Sequence, residues 1–185
     1  MGYAAALMRA SPWRPSPLAE EIFPWLDEFE AGMINDPALV DGTLPPDERV
    51  AVRAGPLAAV DLRPQGQDAA VGSVGLTGTL LATNQRAIIQ ASSGPAREWW
   101  WARDVNGLRF LPHSAGAAFL PTKARFEEGV RVQGIVAPWY AHGDPPPGPD
   151  RDLILTWWKL EGAWRASQPG GLVAWRQELT ELLSR

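Results

Sequence analysis

The feature that most constrains this chain lies between residues 73 and 138, where Gly, Pro, Asn or Asp interrupts the sequence at short, regular intervals. Apolar segments bounded by such residues read as short strands. The spacing predicts strands at about 73–83, 86–92, 97–103, 107–112, 115–121 and 129–138. Leu80-Leu81-Ala82-Thr83 and Arg86-Ala87-Ile88-Ile89 are separated only by Asn84-Gln85, which is a tight polar connection. Gly78 sits inside the earlier of the two strands, where a glycine marks a bend or a close backbone approach. Asn106-Gly107 carries the strongest hairpin signal. Ahead of these, Arg49-Val50-Ala51-Val52-Arg53 alternates, and Leu57 to Leu62 continues it past Pro56. Pro64 to Asp68 reads as a turn. Beyond them, Leu153 to Leu160 is expected to be a last strand, turning at Glu161-Gly162 and returning through residues 163–166. Such a series favours an antiparallel meander that closes into a barrel or packs as a sandwich.

Two segments carry a helical period instead. Leu18, Ile22, Leu26, Phe29 and Met33 recur at helical spacing, with Glu20, Glu21, Asp27, Glu28 and Glu30 on the opposite face. Ser16 is placed to cap this helix and Pro17 to open it, while Pro24 is expected to kink or divide it near Phe23. Its apolar side is expected to dock on the chain's own barrel. At the other end, Leu172, Trp175, Leu179, Leu182 and Leu183 line one face of a helix that follows Pro169-Gly170-Gly171. Packed against an open barrel end, that helix makes Trp175 and Leu179 the candidate plug.

Charge divides the chain in the same place as its texture. Residues 1–48 hold nine acids and two Arg, leaving +3 on residues 49–185 within a total of −4. The expected domains are therefore an acidic N-terminal extension, 1–47, and a barrel with its C-terminal capping helix, 48–185. A body at +3 is far from the dense basic stripe of a nucleic-acid binder. Without Cys there is neither a disulfide framework nor thiolate chemistry. The two His, His113 and His142, fall in separate loops, so no metal and no cofactor is expected. Residues 141–150 read as a Pro-stiffened surface loop. No Gly-rich phosphate loop, zinc spacing or serine elbow appears, Ser92-Ser93-Gly94 reads as a turn, and Asp104, Glu98 and the Glu127-Glu128 pair form no catalytic pattern in sequence. The expectation is a protein that is not an enzyme. No apolar run approaches the ~20 residues of a membrane span, and the N-terminus lacks a basic signal-peptide start, so a cytoplasmic location is expected.

The order of these elements resembles the GRAM and bacterial pleckstrin-homology-like families. The resemblance rests on Glu48-Arg49-Val50, on Gly78, Leu80, Thr83 and Arg86 as a Gly-x-Leu-x-x-Thr-x-x-Arg element, on the Trp-bearing strand at Trp99–Trp101, on Gly129 to Val132 and on the single terminal helix. It covers roughly residues 48–185. The Pro-rich loop and the Trp157–Trp164 segment exceed a minimal domain of this kind. The resemblance implies an α+β fold of about seven antiparallel strands capped by a helix, and a binding module whose ligands are lipid headgroups or protein segments. Phosphoinositide sites need converging Lys or Arg near the first turn, whereas Gln65-Gly66-Gln67-Asp68 offers an acid and no base beside Arg49, Arg53 and Arg63.

The functional expectation is an interaction module for a protein partner or for a second copy of the chain. Two alternatives stay open: peripheral binding to an anionic membrane through Arg86, Arg97, Arg103, Arg109 and Arg125, and a barrel holding a small apolar ligand among its Trp residues. Strand alternation puts Trp99 and Trp101 on one face and Trp100 on the other. Trp99, Trp101, Arg86, Arg97 and Arg103 are accordingly the candidate contact residues, with Ile22, Leu26 and Phe29 of the acidic helix as an expected cover. Arg86 is expected to begin its strand with its head in solvent.

Overall fold

A computed structural model describes residues 15–32, 44–63, 74–91, 96–111, 116–121, 129–133 and 151–184. The chain is α+β. Its strands are β1 (Val50–Arg63), β2 (Val74–Thr83), β3 (Arg86–Ala91), β4 (Arg97–Trp100), β5 (Val105–Leu111), β6 (Gly116–Pro121) and β7 (Gly129–Gln133). Its helices are α1 (Pro15–Glu30), α2 (Trp101–Asp104), α3 (Arg151–Ala166) and α4 (Gly171–Leu183). The readings placed on Met33, on 64–68, on 92–94, on Glu127-Glu128 and on 141–150 lie outside the described residues, as do His113, His142 and Arg125.

The chain forms two compact units. One unit is mostly sheet. In it β1, β7, β6 and β5 form a four-stranded antiparallel sheet, with Val60 opposite Val132, Phe119 opposite Val130 and Phe110 opposite Ala117. Across the whole unit the strand order is β4-β3-β2-β1-β7-β6-β5. This order is open, with β4 and β5 as the outer strands, so the closed barrel expected from the sequence is not formed. The same two strands are joined by α2 alone, whose four residues span only about 6 Å. Laid flat at ~4.8 Å per strand, the outer strands would stand roughly 29 Å apart. The sheet must therefore coil strongly without closing.

Asn106-Gly107 does not turn a hairpin. It lies within β5, and the β5–β6 register shifts between Val105 and Gly107. Asn106 is the extra residue at that shift, left without a partner on β6 as in a β-bulge. Trp101 likewise does not extend β4, since the strand stops at Trp100 and the backbone enters the helical turn of α2.

The other unit is built on α1, α3 and α4, together with Arg49 to Arg53 and the Ala82–Gln85 turn. The N-terminal and C-terminal helices thus share one body, and α1 packs against α3 and α4. Leu18, Ile22, Leu26 and Phe29 are buried as their spacing predicts, with Trp25 beside them. The helix starts at Pro15 rather than at a Ser16 cap, and it runs through Pro24 without dividing. Packing on two neighbouring helices outweighs the hydrogen bond that Pro24 removes.

The largest departure from the sequence expectation is α3. Leu153 to Leu160 is not a strand, and Glu161-Gly162 is not a turn. Both belong to one 16-residue helix. Ile154, Leu155, Trp157, Trp158, Leu160 and Ala163 are all buried, so α3 is covered on nearly every side. Between Leu153 and Leu160 only Thr156 and Lys159 interrupt the apolar residues, and so short an apolar run is not told from a buried strand by pattern alone.

Gly162 is glycine because of what packs on it. A Cβ there would lie 2.9 Å from Cη2 and 3.2 Å from Cζ3 of Trp25. Trp25 has little freedom to retreat, because its Nε1 donates to the Ala51 carbonyl at 3.1 Å and its ring stacks on Phe29 at 5.1 Å. Gly162→Leu is expected to cost about 2–3 kcal/mol despite leucine's better helix propensity, as overpacked cores do. Chemical denaturation checks this, and an unchanged midpoint would show that the Trp25 contact yields freely. The α3–α4 corner has its own requirement at Gly170-Gly171. Gly170 is left-handed at φ +66°, and a Cβ on Gly171 would strike the Arg165 carbonyl.

Candidate interaction site

The sheet unit places three of the sequence-nominated arginines around β4 and its corner. In the β3–β4 pair, Arg86 stands directly opposite Trp100, and Ile88 opposite Glu98. Glu98 is thus the diagonal neighbour of Arg86 on the same face, within reach of a long side chain. The Arg86 guanidinium sits 4.8 Å over the Trp100 ring and 2.9 Å from Glu98. Its side chain is 14% exposed. The expectation of a solvated Arg86 head is therefore corrected: a cation–π contact and a cross-strand ion pair draw it onto the sheet.

Asp104 fixes the corner that follows. It is buried, and its Oδ2 accepts the Trp100 backbone N–H at 2.9 Å. Arg103 approaches the same carboxylate as a fork, Nε to Oδ1 at 2.8 Å and Nη2 to Oδ2 at 2.9 Å. That arrangement covers the buried charge with both its lone-pair directions used. The Arg103 side chain nevertheless stays 63% exposed. Arg97 and Ala102 are also exposed, and Trp100 is half-buried beneath Arg86.

Trp99 and Trp101 are 2% and 1% exposed. They are interior side chains, so the surface aromatic of this region is Trp100. Trp101 does not follow strand alternation, because the strand has already given way to α2. The side chains of Arg109 and Arg63 lie outside the described residues. Glu98 and Asp104 each serve a different arginine and form no carboxylate pair.

The Gly78–Arg86 element also has a structural role in the helical unit, at its Thr83-Asn84-Gln85 turn. Thr83 Oγ1 donates to the buried Glu48 carboxylate at 2.8 Å and accepts the Gln85 N–H at 3.1 Å. Asn84 Oδ1 accepts the Arg49 N–H at 2.7 Å, its N–H returns to the Arg49 carbonyl at 2.9 Å, and its Nδ2 donates to the Asp47 carbonyl. The turn therefore grips the strand entry at residues 47–49. Arg49 in turn donates from Nη1 to the Phe29 and Glu30 carbonyls, covering the negative end of α1. These residues are structural, and their polarity is consumed by one another.

Trp175 and Leu179 are both buried. Within the helical unit Trp175 adjoins Gly162 and lies under the Arg165 guanidinium, 5.7 Å from its ring centre. Its observed setting is a helix–helix interior.

The polar group beside it, Glu161, was not among the candidate residues. Glu161 is 8% exposed. Burial holds its carboxyl well above the usual range, at about 7, against the opposing pull of Arg165. Its Oε2 is buried with no hydrogen-bond partner. Arg165 Nη2 lies 3.6 Å from Glu161 Oε1 and 3.2 Å from Glu178 Oε2 on α4. The signal was present as an i, i+4 acid–base pair inside an apolar run, but it was hidden by reading Glu161-Gly162 as a turn.

Among the described residues no group of acidic or His side chains is placed to hold a metal ion, and no helix is long and apolar enough to cross a membrane. No family model matches the chain, and no curated protein or solved structure is similar enough to it to establish a relationship.

Proposed function

We propose that the chain is a pleckstrin-homology/GRAM-like domain of seven antiparallel strands with a terminal helix, acting as a non-catalytic interaction module for a protein partner. The observation that carries this reading is Trp100. It is a half-buried indole on an outer strand, braced from one side by Arg86, and the same strand and the corner after it carry exposed Arg97 and Arg103. Trp and Arg are the residues that most often anchor protein interfaces, and a braced ring loses little freedom when a partner covers it. The open strand order and the short β4–β5 connection support the family reading, since they describe a coiled sheet with a corner at α2.

A membrane reading is less well supported. Arg86 and Arg103 are each offset by a carboxylate, Glu98 and Asp104, so the local field is weaker than the count of arginines suggests.

The test is a photocrosslinking residue at exposed Ala102 in the full-length protein, expressed in its native cell. A discrete protein adduct is expected, or a dimer of the chain. Replacing Arg97 with Glu and Trp100 with Ala is expected to reduce its yield about tenfold or more, the range of a lost hot spot. Co-sedimentation with anionic vesicles is run beside it. Vesicle binding without an adduct would favour the membrane, and an adduct indifferent to both substitutions would remove this surface from consideration.

A further inference from the structure

The α3–α4 contact holds a group that the interaction site does not use. One guanidinium nitrogen, Nη2 of Arg165, faces two carboxylates from two different helices. Glu161 belongs to the same helix as Arg165 and is buried, while Glu178 belongs to α4 and is about half exposed. The cation cannot slide away sideways, because its guanidinium lies over the rings of both Trp164 and Trp175, at 5.8 and 5.7 Å. One positive charge therefore lies between two negative ones and can favour either.

We infer that Glu161, Arg165 and Glu178 form a proton-operated clasp between α3 and α4. With Glu161 protonated, Arg165 is committed to Glu178 and bridges the two helices. With Glu161 ionised, the buried carboxylate draws the cation back along α3, and the bridge to α4 weakens.

The surroundings make Glu161 the moving part. The charges acting on it are Arg165 and Glu178. From α1 the neighbour of this stretch is the Trp25 ring, against Gly162, and the α1 acids Asp27 and Glu30 are held by Arg176 on α4. Burial and the like charge of Glu178 both favour the protonated form, and its titration falls about 7. The second carboxyl oxygen has no hydrogen bond to lose on protonation. A change near neutral pH therefore alters how α4 is held without disturbing the Arg176 pairs.

Two measurements on the full-length protein test this. Carbon-detected NMR of the Glu161 carboxyl is expected to show a midpoint near 7, lowered in Glu178→Gln. Hydrogen exchange of α4 amides, corrected for intrinsic rates, is expected to show protection about thirtyfold lower at pH 8.5 than at pH 5.5. Glu161→Gln should abolish that difference, and Glu178→Gln should lower protection at pH 5.5 toward the pH 8.5 value. A carboxyl midpoint below 5 overturns the inference in the wild-type protein alone. So does a pH dependence of α4 protection that survives Glu161→Gln, or α4 protection at pH 5.5 that is indifferent to Glu178→Gln.

Discussion

Trp175→Ala is expected to destabilise the protein by about 3–5 kcal/mol, the range for truncating a large aromatic in a packed interior. The indole is 2% exposed and supports the Arg165 guanidinium on one side. On another side lies Gly162, whose missing side chain leaves nothing able to collapse into the space vacated. Trp175→Phe isolates the ring from the indole N–H. That N–H is buried without an acceptor, so there is no hydrogen bond to forfeit, and the expected cost falls to roughly 1.5 kcal/mol or less. Urea unfolding followed by far-ultraviolet circular dichroism measures both. A third variant sharpens the argument. If Trp175 and Gly162 share one packed space, Gly162→Leu costs less when introduced into Trp175→Ala than into the wild type, a coupling expected only between touching sites. Strict additivity would place the energetic role of Trp175 elsewhere.

The contrast between α1 and α3 shows what the sequence could reveal. Leu18, Ile22, Leu26 and Phe29 are legible because exposed acids at Glu20, Glu21, Asp27 and Glu28 mark the opposite face. In α3 the same mark is fainter. Ile154 and Leu155 are both buried, as are Trp157 and Trp158, so adjacent apolar residues blur the period that Thr156 and Lys159 carry. Gly162 then misleads by chemistry rather than by pattern. Glycine after an acid signals a turn, but here it admits the Trp25 ring.

In the sheet, most strand positions were legible from the turn residues. What failed were tertiary facts. Asn106 serves a bulge, and Asp104 ends β4 early by binding the Trp100 N–H. The candidate site was partly legible for the same reason. Arg97 and Arg103 are at the surface, while the partly exposed aromatic of this stretch is Trp100 rather than Trp99 or Trp101. Choosing among three consecutive indoles depends on where the strand stops, and a carboxylate four residues on decides that.

The second large effect is in the pH dependence of stability. A carboxyl whose pKa rises on folding binds its proton more tightly in the native state. Its contribution is fully present below the unfolded value and is lost as pH rises through the folded value. For Glu161 these are 4.5 and about 7. The window is therefore pH 4.5 to 7, and the loss across it is roughly 3 kcal/mol at 1.36 kcal/mol per unit. The direction is opposite to that of a salt-bridged surface carboxylate, which gains stability over the acid part of the same range. Other carboxylates titrate too, so the informative quantity is the difference between wild type and Glu161→Gln. Glutamine is nearly isosteric with the protonated acid and cannot ionise. At pH 4.5 and below the two proteins should be nearly equal in stability, and above pH 7.5 the variant should exceed the wild type by roughly 3 kcal/mol. Thermal or urea unfolding at a series of pH values gives the difference curve. A flat curve would mean that Glu161 stays ionised in the native state, with Arg165 compensating its burial in full. In that case α3 would carry a buried ion pair, and Glu161→Gln would destabilise the protein by removing the buried one of the two carboxylates that Arg165 serves.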